Sequence, residues 1–153
     1  MRRLNARLAA NLRRGRGPTG TVLVLTTIGR RSGLPRDTPL QFEEINGVLH
    51  VASARGTAAD WFRNVVAEPR VTVTLRGREF AAVAEPVTDP VRIADFLLHR
   101  LRARPVMVRA IMTLTERLPL RWSRADLERI AASKAVVVLR EENVTGAAPS
   151  PAP

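Results

Sequence analysis

The chain has 153 residues, 45% hydrophobic and 25% charged, with 11 Pro, 9 Gly and no Cys. These proportions fit one globular domain with its own core and exclude a collagen-like or low-complexity chain, while the lack of Cys excludes a disulfide scaffold, a thiolate metal site and a cysteine nucleophile. The net charge of +11 sits at the front, where residues 1–36 hold nine Arg and no acid, against 16 bases and 14 acids in the remainder. Such a local excess points to an anionic partner, whether a phosphate-bearing cofactor, nucleic acid or a membrane surface, or to a plain solubilising arm. No apolar run is long enough to span a membrane and the first sixteen residues lack a secretory signal's apolar core, so a cytoplasmic location is expected.

Leu4, Leu8 and Leu12 recur every four residues among arginines, which predicts a short basic amphipathic helix within 1–16, docked on the core or touching a membrane. Thr21–Ile28 is apolar and β-branched and reads as a buried strand; Gly29 to Arg36 follows as a loop. A second strand from Asp37 to Ile45, the turn Asn46-Gly47 and a third strand Val48–Ala54 form a hairpin. Ala58–Ala67 has helical spacing and ends before Pro69; Val71–Leu75, Arg76-Gly77 and Glu79–Val87 make a second hairpin. Asp89-Pro90 starts a helix that runs to Pro105, the pattern resumes from Met107 to Leu118, and Ser123 with Asp126 forms a capping box for another short helix. Lys134–Arg140 is a last apolar strand, and 144–153 a disordered tail. The whole is α+β, one domain over 1–143, built on a small antiparallel barrel or half-barrel.

The chemistry concentrates in the loop between the first two strands. Arg30, Arg31 and Arg36, Ser32 and two glycines lie within eight positions, the composition of an anion cradle, although no Walker or dinucleotide fingerprint is present. Trp61 and Asn64, three apart, share a helical face on which an aromatic surface and an amide meet one ligand, unless Trp61 is a core anchor. His50, alternating with Val48 and Ala52, reads as a structural histidine, and His99, four after Asp95, as half of a surface pair; no spacing indicates a metal. No nucleophile elbow or paired carboxylates support a hydrolase, and six aromatic residues without a single Tyr argue against a nucleic-acid partner.

The segment from Leu23 to Leu40, containing Thr26-Thr27-Ile28-Gly29-Arg30-Arg31-Ser32-Gly33-Leu34-Pro35-Arg36-Asp37-Thr38-Pro39-Leu40, resembles the deazaflavin-dependent nitroreductase and quinone reductase family, whose signature is T-T-x-G-R-x-[ST]-G-x-x-R-x-x-P-L. Val51-Ala52-Ser53, Asp60-Trp61-Phe62-Arg63-Asn64 and Glu68-Pro69-Arg70-Val71 extend the resemblance over about residues 20–87. It implies a split β-barrel of about six mainly antiparallel strands with N- and C-terminal helices, binding coenzyme F-420 (8-hydroxy-5-deazaflavin), with FMN the alternative. The implied activity is hydride transfer to a quinone, a nitroaromatic or a similar electron-poor small molecule. By position, Arg30, Arg31 and Arg36 would hold the cofactor's anionic tail, with Ser32 and Ser53 as further donors. Pro39 and Leu40 would present backbone groups beside the ring, Trp61 and Asn64 would border it, and Arg55 would substitute for a lysine of relatives. No catalytic side chain is implied, because the cofactor carries the chemistry. Phe62 stands where relatives have Tyr. A non-catalytic deazaflavin or flavin binder, and a basic anion- or membrane-binding protein, are the competing readings; the oligomeric expectation is monomer or homodimer.

Overall fold

Residues 21–142 are described by a computed structural model; the helix expected within 1–16 and the tail over 144–153 lie outside them. Strands β1 (Val22–Ile28), β2 (Pro35–Ile45), β3 (Val48–Ser53), β4 (Arg70–Leu75), β5 (Arg78–Val87) and β6 (Ala135–Glu141) are joined by helices α1 (Asp60–Ala67), α2 (Pro90–Ala103), α3 (Pro105–Glu116) and α4 (Arg124–Ala131), with a 3-10 turn at Gly56–Ala58. The strands pair antiparallel in the order β1-β2-β3-β6-β5-β4 and close into a barrel through β1 and β4. Both predicted hairpins form, with positive φ at Asn46 and Gly47 and again at Arg76 and Gly77, the backbone that matches the right-handed twist of the flanking strands.

The barrel interior is filled by one face of each strand, including Leu23, Leu25, Val51, Val73 and Val137, and is plugged by Phe62 and Val65 of α1. A second core lies outside the barrel, where Val136 and Val138 of β6 meet Ile93, Phe96 and Leu97 of α2, Met112 of α3 and Leu127 and Ile130 of α4. Strand β6 is therefore buried on both faces, which is why Ala135 to Leu139 reads as an unbroken apolar run rather than an alternating one. Helices α2, α3 and α4 all precede β6, in the order the sequence predicts, and the last described element is a strand, so no helix follows the barrel among the described residues.

Local chemistry sets the helix boundaries. Asp89 accepts from the Val91 N–H with Pro90 in the first turn, and Ser123 and Asp126 bond reciprocally as a capping box. Pro105 ends α2 because it lacks an N–H, and starts α3 for the same reason.

Two features position the site. Strands β1 and β3 run the same way, so the β1–β2 loop and the segment after β3 emerge at one end of the barrel. Strand β2 also changes partner: Pro35 to Gln41 pair with β1, whereas only Phe42 to Ile45 pair with β3. Above Phe42 and Val51 the two strands part, and Pro39 sits on that stretch, where a missing N–H is tolerated beside a free edge.

Candidate active site

The loop from Gly29 to Leu34 is held from within. The Gly29 N–H donates to the Leu34 carbonyl (2.8 Å) and the Gly33 N–H to the Gly29 carbonyl (2.7 Å), closing a tight turn with Gly33 in the left-handed region. A Cβ at Gly29 would lie 2.5 Å from Ser32 Oγ and 3.3 Å from the Leu34 carbonyl, so a larger residue would have to turn the Ser32 hydroxyl away and shift the loop. Ser32 Oγ accepts from the Leu34 N–H (3.3 Å) and from Arg36 Nη2 (3.4 Å), which leaves its own hydrogen free to donate outward.

The loop is also clamped to α1. Asn64 Oδ1 accepts from the Arg30 N–H (3.2 Å) and from Arg30 Nη1 (3.0 Å), while Asn64 Nδ2 donates to Thr27 Oγ1 (3.3 Å). Arg30 Nη2 meets Asp60 Oδ1 at 3.0 Å and Nη1 donates to the Asp60 carbonyl, so the arginine spans the first turn of the helix. The Arg30 hydrogen bond and charge hold the Asp60 carboxyl below the usual carboxylate range. Arg31 and Arg36, by contrast, are exposed and have no carboxylate within ion-pair distance among the described residues. The three arginines therefore divide: Arg30 turns to α1, and Arg31 and Arg36 face water.

Asn64 and Ser53, both expected at a ligand, are buried. Asn64 is engaged as above, and the Ser53 hydroxyl donates to the Gly56 carbonyl at 2.7 Å, fixing the turn after β3. Gly56 presses that turn against the backbone of Ser133, where a Cβ would come within 2.6 Å of the carbonyl oxygen. Trp61 is half-buried against the barrel core and edge-on to Phe62; Arg55 is exposed; Pro39 and Leu40 are half-buried on the stretch of β2 that pairs with β1 but not with β3. Sequence reasoning missed Thr27 and the Arg30–Asp60 pair, which are linked only by the fold.

Where β2 and β3 part, a cavity of about 410 Å³ opens between the sheet's outer face and the helices. Gln41, Ala52 and Ala54 stand at the strands; Phe96, Leu97 and Met112 form its apolar wall. Charged groups in its lining are paired: Arg100 with Glu43 at 3.2 Å, and Lys134 with Glu116. The chamber thus combines an apolar wall with a few fixed polar groups, the usual character of a small-molecule site.

His50 lines this cavity and a second one of about 320 Å³. Its Nδ1 lies 3.0 Å from the Val48 carbonyl and its ring stacks on Phe96, consistent with a structural role. The expected His99–Asp95 pair is absent, because Arg124 holds Asp95 at 2.5 Å. Burial lowers the His50 pKa, and Arg140, His99 and Arg92 add to the effect against the Val48 hydrogen bond, which raises it. The unfolded chain thus binds a proton here more readily than the native one, so this histidine's contribution to stability is lost as pH falls through about 6.5. The melting temperature is expected to drop less between pH of about 7.5 and 5.5 in His50→Asn than in the native protein, as followed by circular dichroism. Equal slopes would remove His50 as the cause.

The chain is thus an α+β antiparallel barrel with an arginine-bearing glycine turn at one end and an apolar chamber between its outer face and the helices. The chain belongs to the family described as F420H(2)-dependent quinone reductase, whose model matches residues 1–121. It is an F-420-dependent oxidoreductase, and coenzyme F-420 is its cofactor. Among solved structures it is similar to an F420-H2 dependent reductase (FDR-A), with 22% identity over 79% of this chain and 95% of that one and a TM-score of 0.52. A conserved hypothetical protein from Mycobacterium tuberculosis matches at 19% identity over 90% of this chain and 80% of that one, with a TM-score of 0.56. A chain described as a domain-swapped dimer matches at 19% identity, covering 91% and 92%, with a TM-score of 0.55. At these identities the likeness concerns the fold, the split barrel that the resemblance implies.

Proposed function

We propose that reduced F-420 lies along the parted edges of β2 and β3 and that the chain's acceptor is a quinone or a similar electron-poor small molecule seated in the adjoining cavity. The observation that carries this reading is the parting itself: it starts at Phe42 and Val51, and the cavity is lined by the residues on both sides of it. The residues present fit the cofactor. Exposed Arg31 and Arg36, a Ser32 hydroxyl free to donate and a hydrogen-bonded glycine turn make a donor set for a phosphate and carboxylate tail. When bound, the deazaflavin supplies the hydride.

The chain's own residues then orient and enclose. Arg30 and Asn64 are positioning residues that hold the loop against α1, and Ser53 holds the turn that carries Arg55 toward the same end. Pro39 and Leu40 expose strand backbone where β3 no longer pairs, leaving groups free for a planar ring, with Trp61 at the helix start as a neighbouring aromatic surface. The apolar wall of the cavity excludes water around the acceptor and leaves the distance between the two partners to set the rate. A quinone fits this chamber better than an acceptor that needs a phenolic proton donor, since the chain has no Tyr.

Filling the chamber separates the two partners. Ala52→Phe is expected to lower kcat/KM for a soluble quinone such as menadione by at least about tenfold while F-420 still binds, measured by anaerobic oxidation of the reduced cofactor and by fluorescence titration. An unchanged rate would place the acceptor outside this cavity, and loss of cofactor binding would place the ring inside it.

A further inference from the structure

We propose that the outer face of α3, continued by Leu120, is a docking surface for an anionic lipid membrane. Val108 and Met112 anchor the inner side of this helix in the second core. Away from it Val106, Met107 and Leu114 are exposed, with Leu114 seven after Met107 on one line, and half-exposed Ile111 lies at the boundary between this face and the cavity. Beyond the helix Arg117 adopts a left-handed conformation that turns the chain, so that Leu118 is buried and Leu120 projects outward. Val106, Leu114 and Leu120 are 80–85% exposed, far more large apolar surface than scattered single residues would give.

Charge identifies the occupant. Arg102 at the end of α2, Arg109 on α3 and Arg117 and Arg121 after it are exposed, and none has a carboxylate within ion-pair distance among the described residues; Arg109 donates to the Leu120 carbonyl at 2.8 Å, which keeps it beside that leucine. The one acid between residues 101 and 121 is Glu116, which is paired with Lys134. A second copy of the chain would set these cations against their like, and the first sixteen residues bring six further arginines and no acid. An anionic lipid surface satisfies both halves of the face: acyl chains receive the aliphatic side chains, and headgroup phosphates receive forked guanidinium donors. The contact is peripheral, since among the described residues no helix is long and apolar enough to cross a membrane. Ile111 also belongs to the cavity wall, so docking would hold the chamber's rim at the lipid surface.

The test needs neither cofactor nor acceptor, so its outcome is independent of the reading above. With no native Cys, an environment-sensitive fluorophore can be attached to the full chain through Leu114→Cys or, across the barrel on the β4–β5 turn, through Arg76→Cys. Phosphatidylcholine vesicles containing phosphatidylglycerol should shift the emission of the probe at 114 to the blue and leave that at 76 unchanged, with the effect fading in high salt. Leu114→Ser and Arg117→Ala with Arg121→Ala should each lower vesicle partitioning by about tenfold without changing the thermal melt. Vesicle binding with the probe at 114 still in water would overturn the proposal in favour of the N-terminal residues, and no binding would overturn it outright. A dimer that Leu114→Ser converts to monomer, with no vesicle binding, would assign the face to a second copy.

Discussion

Replacing Arg31 and Arg36 together by alanine is expected to weaken F-420 binding by about 100-fold, and either alone by about tenfold. The reasoning starts from what each guanidinium already does. Arg30 is committed to Asp60 and Asn64, so its charge is largely satisfied inside the protein. Arg31 has no protein partner among the described side chains, and Arg36 has only the Ser32 oxygen at 3.4 Å, which a carboxylate or phosphate would outcompete. A charge-assisted bond to an exposed anion lies at the low end of its range, hence the modest factor for each. The loss should appear in the cofactor's dissociation constant and KM, with kcat at saturation nearly unchanged, because in the proposed placement these groups would meet the tail, far from the transferred hydride. Raising the salt should weaken the native protein toward the variant. Fluorescence titration at two ionic strengths checks this, with Arg76→Ala on the distant hairpin as control. Unchanged affinity in the double variant would move the tail away from this loop.

The same loop shows where sequence reading stops. Hairpins are legible because Asn46-Gly47 and Arg76-Gly77 are local and the strands beside them alternate. The anion-binding composition from Gly29 to Arg36 is legible for the same reason. The division of labour among its arginines is not, since Arg30 is selected by Asp60 and Asn64, more than thirty positions away in the case of the amide. A partial signal did exist for Ser53: if His50 and Ala52 face the helices, period-two alternation turns Ser53 inward with Val51, away from the outer face. Asn64 had a weaker one, lying between Phe62 and Val65 on the buried side of a short helix. The parting of β2 from β3 left only Pro39 as a trace, and the cavity behind it depends on how α2 and α3 cross the sheet, which no local pattern encodes. Exposure of α3's apolar face was likewise hidden, because the spacing of Met107, Ile111 and Leu114 reads as a core-facing stripe until the structure shows Val108 and Met112 filling that role.

Asn64→Ala is expected to destabilise the protein by about 2–3 kcal/mol and to lower its melting temperature by about 5–10 °C. Asn64 is buried, and its amide joins three elements: it donates to Thr27 at the end of β1, accepts from the backbone N–H of Arg30 in the loop, and projects from α1. Alanine leaves the Thr27 hydroxyl, which is fully buried, without its donor and releases an N–H and a guanidinium from their shared acceptor. Leaving such groups unpaired in a dry interior, rather than losing favourable bonds, accounts for most of the effect. Asn64→Asp separates the two halves of the role. Its carboxylate still accepts from both Arg30 groups, and the Thr27 hydroxyl can rotate to donate to it, so stability should recover in large part while Arg30 offsets the introduced charge. Function should follow the loop rather than the amide: the alanine variant should raise the cofactor's KM through a disordered cradle, and the aspartate variant should restore it. Thermal melts read alongside F-420 titrations decide the matter. An alanine variant that melts like the native protein, or an aspartate variant that folds normally yet binds cofactor no better than alanine, would place Asn64 in direct contact with the ligand instead of behind the loop.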